Sequence, residues 1–375
     1  MSSKNIIRLS KSNIGEAEKN AVMRVMDRQF FGMGIEVEKF EEDLTQFFGR
    51  PTVCTVNGTA ALHLALQACD LGPGDEVLVQ SLTYVASFQA ISATGAKPIS
   101  CDIDPKTLCL DWKDAEQKMT QNTKAVMPVH YSGGVGALDE IYAFAKKYDL
   151  RVIEDAAHAF GTEYKGKSVG SFGDIACFSF DGIKNITSGE GGCIVTDDMR
   201  VLKKVKDARL LGVENDTEKR FSGKRSWSFD VGEQGWRYHM SDLMGAIGQV
   251  QLQSFLKTAT IRQRLASFYD TCLSGHAYIK HFVHNYGEVV PHIYVVRIHG
   301  LKDRDALREH LLDKGIQTGV HYQPNHTLTY YSKDEINSLA VTDEVYSELL
   351  SLPLHIDITE HEIRYICDQL ISAID

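Results

Sequence analysis

The chain has 375 residues, 43% hydrophobic and 24% charged, with a net charge of −10 and an isoelectric point near 5.8. That composition excludes a disordered or low-complexity polypeptide. The acidic balance, with no basic stripe interleaved with aromatics, argues against a nucleic-acid polymer as partner. Phosphate binding stays open, because helix starts supply local donors whatever the net charge. The N-terminal Met1-Ser2-Ser3-Lys4-Asn5 carries no apolar run and no stretch is long enough to span a bilayer, so a soluble cytoplasmic protein is expected. The eight cysteines form no C-x-x-C pair and several sit in apolar runs. Buried free thiols are expected, with no disulfide framework and no metal centre.

In chain order, helical patterns are expected at 15–28 and 37–48, then a strand at 52–56 and a helix at 59–69. Gly72-Pro73-Gly74-Asp75 reads as a turn before a strand at 76–80 and a helix at 85–92. Further strands are expected at 125–129, 151–154, 175–180 and 192–196, with a helix at 138–147. This β-α-β alternation predicts a mostly parallel sheet with helices on both faces. A long helix is expected over 238–273, with Met240, Leu243, Met244 and Ile247 on its buried face. After it come a strand at 293–298, a helix at 303–314 and a strand at 320–322, a small α+β unit. The expected division is a large domain over 1–250 and a small one over 251–375, entered through the long helix.

Open parallel sheets bind ligands beyond the carboxyl ends of their strands, so chemistry is sought there. Asn57-Gly58-Thr59-Ala60-Ala61-Leu62 follows a strand and opens a helix, offering free N–H groups and a hydroxyl to an anion. Taken alone, a strand–glycine–helix turn is an ordinary structural feature. Glu154-Asp155-Ala156-Ala157-His158 ends a later strand. Asp155 there is suited to hold the protonated nitrogen of a pyridinium, and the alanines leave room for a flat ring. The competing readings are a helix cap for Asp155 and a half-buried core histidine for His158.

Phe178-Ser179-Phe180 and Lys184-Asn185-Ile186-Thr187 precede the turn Gly189-Glu190-Gly191-Gly192. A lysine between an apolar strand and a glycine turn loses hydration, which favours the neutral amine that forms an imine. A surface loop lysine is the alternative. A phosphate cradle, a strand-end aspartate and a lysine about 30 residues beyond make up the set that pyridoxal 5'-phosphate (PLP) needs.

On these motifs, together with Val320-His321-Tyr322, the chain resembles the DegT/DnrJ/EryC1/StrS family of nucleotide-sugar aminotransferases over nearly its whole length. The resemblance implies the α/β architecture of PLP fold type I: a large domain with a mostly parallel seven-stranded sheet flanked by helices, plus a small C-terminal α+β domain. It implies that Lys184 carries PLP as a Schiff base and that Asp155 partners the pyridine nitrogen. His158 lies near the phenolic oxygen, and Gly58, Thr59, Ala60 and Ser179 bind the phosphate. Tyr84 covers the ring face, with a core tyrosine as the competing reading. His321 and Tyr322 face the substrate. The family usually reads Gly-Tyr-Asn-Tyr-Arg before the long helix, where this chain has Gly235-Trp236-Arg237-Tyr238-His239. Arg237 stands where an asparagine reaches the phosphate of the neighbouring subunit, so a homodimer with shared sites is implied; pairing of Arg237 with a surface carboxylate outside the site is the alternative. The role of His239 stays open.

The implied reaction takes an amino group from L-glutamate to a nucleotide-linked keto sugar. Phe-Ser-Phe before Lys184 and Thr-Ser-Gly-Glu-Gly-Gly after it resemble members that aminate C4 of a 4-keto-6-deoxy sugar, such as dTDP-4-dehydro-6-deoxyglucose, for O-antigen assembly. A 3-aminotransferase or a GDP- or UDP-sugar enzyme is the alternative within the family. A non-catalytic PLP-fold sensor or scaffold is the alternative outside it.

Overall fold

Val77-Leu78-Val79, Ala125-Val126-Met127, Val152-Ile153 and Ile175-Ala176-Cys177-Phe178 are buried residue after residue. Such runs suit strands covered on both faces, the setting of a parallel sheet under helices. The computed structural model describes residues 6–225, 227–282, 284–332 and 339–374. Its strands are β1 (Thr52–Thr55), β2 (Glu76–Gln80), β3 (Lys97–Cys101), β4 (Thr123–Met127) and β5 (Arg151–Asp155). A short hairpin, β6 (Glu163–Tyr164) with β7 (Lys167–Ser168), precedes β8 (Ile175–Ser179) and β9 (Gly192–Thr196). A seven-stranded sheet runs in the order β1-β9-β8-β5-β4-β2-β3. Strands β3, β2, β4, β5 and β8 pair in parallel, and β9 is antiparallel to both β8 and β1. This is the fold-type-I large-domain sheet expected from the resemblance.

Alternate residues feed opposite faces. Val53, Val77, Val79, Met127, Ile153 and Ile194 pack with helices α3 (Gly58–Ala68), α4 (Val85–Ala93) and, after β9, the Met199–Ala208 helix. On the other face, Leu78, Val126 and Val152 meet α5 (Trp112–Gln117) and α6 (Leu138–Tyr148). Cys54, Ala176, Phe178 and Val195 meet the aromatic cluster of Phe40, Phe48, Phe160 and Phe255. The helices α1 (Glu16–Arg28) and α2 (Ile35–Phe48) open the chain; the Met199–Ala208 helix is α7, and α8 (Asp216–Phe221) follows it. All eight cysteines are free thiols.

Helix α9 (Asp242–Leu273) packs on α1 and α2 at its start and joins a different core at its end. Its close crossing of α2 needs Gly245 and Gly248. A Cβ at Gly245 would lie 2.9 Å from the Glu36 backbone, and one at Gly248 2.4 Å from the Phe40 ring. From Leu265 onward α9 packs with a three-stranded antiparallel sheet of β10 (Ile279–His281), β11 (Tyr294–Ile298) and β12 (Leu349–Leu352). Helices α10 (Arg304–Asp313), α11 (Ala340–Glu348) and α12 (Glu360–Ile374) complete this part, and α10 and α12 share its core. Ile7 packs there too and bridges to Ile316, so the start of the chain joins the C-terminal core despite lying inside the 1–250 division.

Two expected elements differ from the structure. The expected helix over 238–273 starts four residues later. Tyr238 is held extended because its N–H donates to the Arg209 carbonyl and its carbonyl accepts from Val56 N–H; Ser241 then caps α9. The expected strand over 320–322 does not form. Pairing with β12 stops after the Gly319–Ser351 bridge, and His321 and Tyr322 line the cavity described below. Among the described residues, no helix is long and apolar enough to cross a membrane.

The edge of the large sheet depends on a buried ion pair. Arg209, fully buried, donates to Glu41 and to the Cys54 carbonyl (2.6 Å), while Glu41 also accepts the Cys54 N–H at 2.7 Å. This fastens α2 and the end of α7 to β1. Removing one partner of a buried pair leaves an uncompensated charge and costs about 3–5 kcal/mol. Arg209→Met is therefore expected to destabilise the protein by about that amount, read as a lower denaturant midpoint in urea unfolding; a change under about 0.5 kcal/mol would contradict this account.

Candidate active site

The carboxyl ends of β1, β2, β4, β5 and β8 open on one cavity of about 430 Å³. Ligand crevices of doubly wound sheets lie at this edge. Of the residues singled out from sequence, Gly58, Thr59, Tyr84, Asp155, His158, Ser179, Lys184, His321 and Tyr322 line it. Ala60 and Arg237 do not.

At one end of the cavity α3 begins. Asn57 caps it, its Oδ1 accepting the Ala60 N–H at 2.8 Å. That bond commits the Ala60 donor to the helix, so Ala60 stands behind the anion cradle and outside its surface. The N–H groups of Gly58 and Thr59 have no intrahelical acceptor, as at any helix start. Gly58 passes so close to β8 that a Cβ would lie 2.8 Å from the Ser179 Cβ. Glycine thus brings the helix start and the Ser179 hydroxyl to the same spot, a site suited to a phosphate.

Asp155 ends β5, and no helix follows it, so it caps nothing. Its carboxylate is fixed on both oxygens: Ser87 Oγ donates at 2.7 Å and the Ala157 N–H at 3.2 Å. Ser87 is in turn 3.0 Å from Thr83 Oγ1. The adjacent Glu154 points into the opposite layer, where it bonds His130 at 2.6 Å and Tyr142. The two acids of the motif are therefore split between a structural pair and the cavity.

Lys184 sits in the turn after β8, its backbone N–H bonded to the Asp181 carbonyl at 3.0 Å. Burial lowers its pKa from 10.5 to about 8, although Asp155 and Asp181 pull the other way. Desolvation dominates because the ammonium trades water for a largely protein environment. Its Nζ lies 3.3 Å from His292 Nε2.

Histidines surround this amine, and burial keeps them neutral. The pKa values of His158 and His292 are driven well below 6.5 by burial first and by Lys184 second; that of His321 falls to about 4 from the same causes. His158 Nδ1 accepts the Ser132 N–H at 3.3 Å, so the proton of the neutral ring belongs on Nε2, 2.9 Å from the Tyr322 hydroxyl. Tyr84 is 58% exposed, which excludes a core role; its ring stands 5.5 Å from that of Tyr322.

The segment bearing His321 and Tyr322 is latched to the loop after β2. Asn325 Nδ2 donates to the carbonyls of Ser81 (3.0 Å) and Thr83 (2.8 Å). His326 bonds Ser81 Oγ at 2.7 Å and Asp343 at 3.1 Å. Tyr131 donates to the His321 carbonyl, and His321 Nδ1 pairs with Ser351 Oγ at 2.7 Å.

Arg237 is exposed and outside its own chain's cavity, with its backbone bridged to Leu210. His239 is half-buried beside it, and its pKa is lowered to about 4 by burial and by Arg220, Arg237 and Arg209. Sequence reading missed Ser87 and His292. Ser87 lies one helical turn after Tyr84, a spacing that signals a shared face; His292 follows Pro291 at a strand start and carries no such signal.

The set fits PLP: an anion cradle that a Cβ at Gly58 would crowd, a carboxylate held for a ring nitrogen, and a desolvated amine. The profile of the DegT/DnrJ/EryC1/StrS aminotransferase family matches residues 12–371. The chain belongs to this family. It is a PLP-dependent aminotransferase, with pyridoxal 5'-phosphate as its cofactor. It is similar to the uncharacterized protein MJ1066 of Methanocaldococcus jannaschii, at 36% identity over 358 residues covering 93% of each chain. Its fold is similar to the PLP-form of Spr1654 from Streptococcus pneumoniae, with a TM-score of 0.91, 29% identity and 98% of both chains covered. The sugar aminotransferase CalS13 from Micromonospora echinospora is similar with a TM-score of 0.89 at 28% identity, over 98% of this chain and 100% of that one.

Because Lys184 is desolvated, its amine is expected to react with an acylating reagent with a midpoint near pH 8, against 10.5 for an unperturbed lysine. Reactivity rises with pH because only the neutral amine attacks. Competitive labelling of the apoprotein read by mass spectrometry checks this, and a midpoint above about 10 would show an ordinary solvated lysine.

Proposed function

We propose that this aminotransferase moves the amino group of L-glutamate to C4 of a nucleotide-linked 4-keto-6-deoxy sugar, with dTDP-4-dehydro-6-deoxyglucose the favoured substrate and O-antigen or related polysaccharide assembly the destination. The observation carrying the reading is the pairing, in one cavity, of the desolvated Lys184 amine with the doubly anchored Asp155 carboxylate. The sugar as acceptor is supported by likeness to CalS13, and C4 by the residues flanking Lys184.

When bound, PLP supplies an electron-withdrawing ring that stabilises the carbanion left when an α-proton departs. Asp155 holds the proton of the ring nitrogen, and Ser87 with the Ala157 N–H keeps that carboxylate aimed. Lys184 Nζ would hold the cofactor, and as a free amine it would take the α-proton of the amino donor and carry it to the cofactor. Gly58, Thr59 and Ser179 bind the phosphate. Neutral His158, donating from Nε2, and Tyr322 stand on the remaining wall, with Tyr84 over the ring and His321 toward the sugar.

Among the described residues, the cavity's own lining includes Asp155, Asp181 and Glu190 but no arginine. A nucleoside diphosphate and a donor carboxylate both need positive charge beyond Lys184. Arg237, exposed on its own chain and standing where the family has a cross-subunit residue, is the group that a second copy brings in. The protein therefore acts as a homodimer with shared sites. Arginine suits the task because its fork of donors matches phosphate oxygens.

Three outcomes are expected. Lys184→Ala abolishes turnover and the yellow colour of the bound cofactor, and incubation of the wild type with glutamate and a panel of nucleotide keto sugars yields a 4-amino product by mass spectrometry and NMR. A 3-amino product, or turnover of the variant within tenfold of wild type, contradicts the proposal. Mixing inactive Lys184→Ala and Arg237→Ala subunits restores activity through the one intact site of each heterodimer; no recovery, or a fully active monomer in sedimentation, removes the cross-subunit role.

A further inference from the structure

Next to the turn that carries Lys184 lies a second, rear chamber of about 60 Å³, lined by Leu9, Ser10, Ile183, His292, His321 and Leu354 among others. Ile183 and His321 line both this chamber and the main cavity. His292 is 3% exposed, and its two ring nitrogens differ in surroundings. Nε2 is 3.3 Å from Lys184 Nζ, whereas Nδ1 is buried without a protein partner. A buried polar atom without a partner is uncommon and calls for water when the space is polar and large enough; one water needs on the order of 10–15 Å³ by this measure. The chamber exceeds that, and Ser10 and His321 join His292 as the polar residues of its lining.

We propose that His292 is a positioning residue for Lys184: an ordered water in the rear chamber accepts the proton of His292 Nδ1, which leaves Nε2 as the lone-pair acceptor that holds and aims the lysine amine. The tautomer of a neutral imidazole is set by the hydrogen bond that its other nitrogen makes. With Nδ1–H directed at water, Nε2 has only a lone pair to present, and the nearest donor is the Lys184 amine. Were the proton on Nε2, an N–H would face the ammonium of Lys184 and oppose it. Arg262 supports the neutral form. It is buried, donates to the His292 carbonyl at 3.3 Å, and its positive charge opposes protonation of the ring, as does that of Lys184. His158, whose ring centroid is 4.6 Å from that of His292, is committed to Ser132 and Tyr322 and does not compete for Lys184.

This inference rests on Lys184 being the cofactor lysine, and the test separates the two. In the apoprotein, the pH midpoint of Lys184 acylation is measured by mass spectrometry for wild type, His292→Gln, His292→Leu and Ser10→Val, with thermal unfolding as the check on folding. Losing the acceptor destabilises the ammonium, so His292→Leu is expected to lower the midpoint by about one pH unit and to slow covalent uptake of PLP, followed by stopped-flow absorbance, about tenfold. His292→Gln, whose amide oxygen supplies an acceptor, stays within about twofold of wild type in uptake. Ser10→Val, which fills the chamber and displaces the water, shifts the midpoint in the same direction as His292→Leu. An unchanged midpoint in folded His292→Leu overturns the positioning role, and an unchanged midpoint in Ser10→Val overturns the water. Covalent PLP uptake by Lys184→Ala would instead defeat the lysine assignment, while the labelling midpoints still report the His292 contact.

Discussion

The site depends on holding a lysine where water solvates it poorly, in the same cavity as a carboxylate fixed by two donors. The structure treats the two groups differently by the number of donors each receives. Asp155 is given a hydroxyl and a backbone N–H on its two oxygens. Lys184 is given a neutral imidazole and apolar neighbours, so its charge is the one that yields. The turn after β8 and the end of β5 are adjacent because the strands pair in parallel, and this sheet order keeps the two groups within each other's field.

The surrounding histidines extend the same logic. A protonated histidine beside Lys184 would lower the lysine pKa further and would add a second buried cation next to the first. Burial keeps His158, His292 and His321 neutral, and each has a bond in keeping with that state. They act as polar walls that accept or donate without competing as bases. The chemistry is left to the amine.

Much of this was legible in the sequence where a local pattern and its physical cause coincide. Strands β2, β5, β8 and β9 stand out because buried parallel strands need continuous apolar runs, and Asp155, Lys184 and Gly58 stand out because they terminate or follow such runs. Strand β3 does not, since Lys97-Pro98-Ile99-Ser100 at a sheet edge lacks the apolar density of its neighbours. The stretch around Tyr238 has helical composition but is held extended by Val56 and Arg209, partners remote in sequence. His292 is found only when β11 is packed against the turn after β8. Arg237 was singled out by its position in a motif, and a single chain shows only that it stands clear of the cavity.

The latch from Asn325 and His326 to the loop after β2 bears on how the chain divides. By position, residues 321–327 belong with the C-terminal part, where His321 bonds Ser351 and His326 bonds Asp343, yet Asn325 and His326 also bond Ser81 and Thr83 in the loop after β2. The wall they form is thus anchored to both cores. The chain is divisible into two cores without being divisible into two parts, because an excised sheet would lack one side of its own pocket.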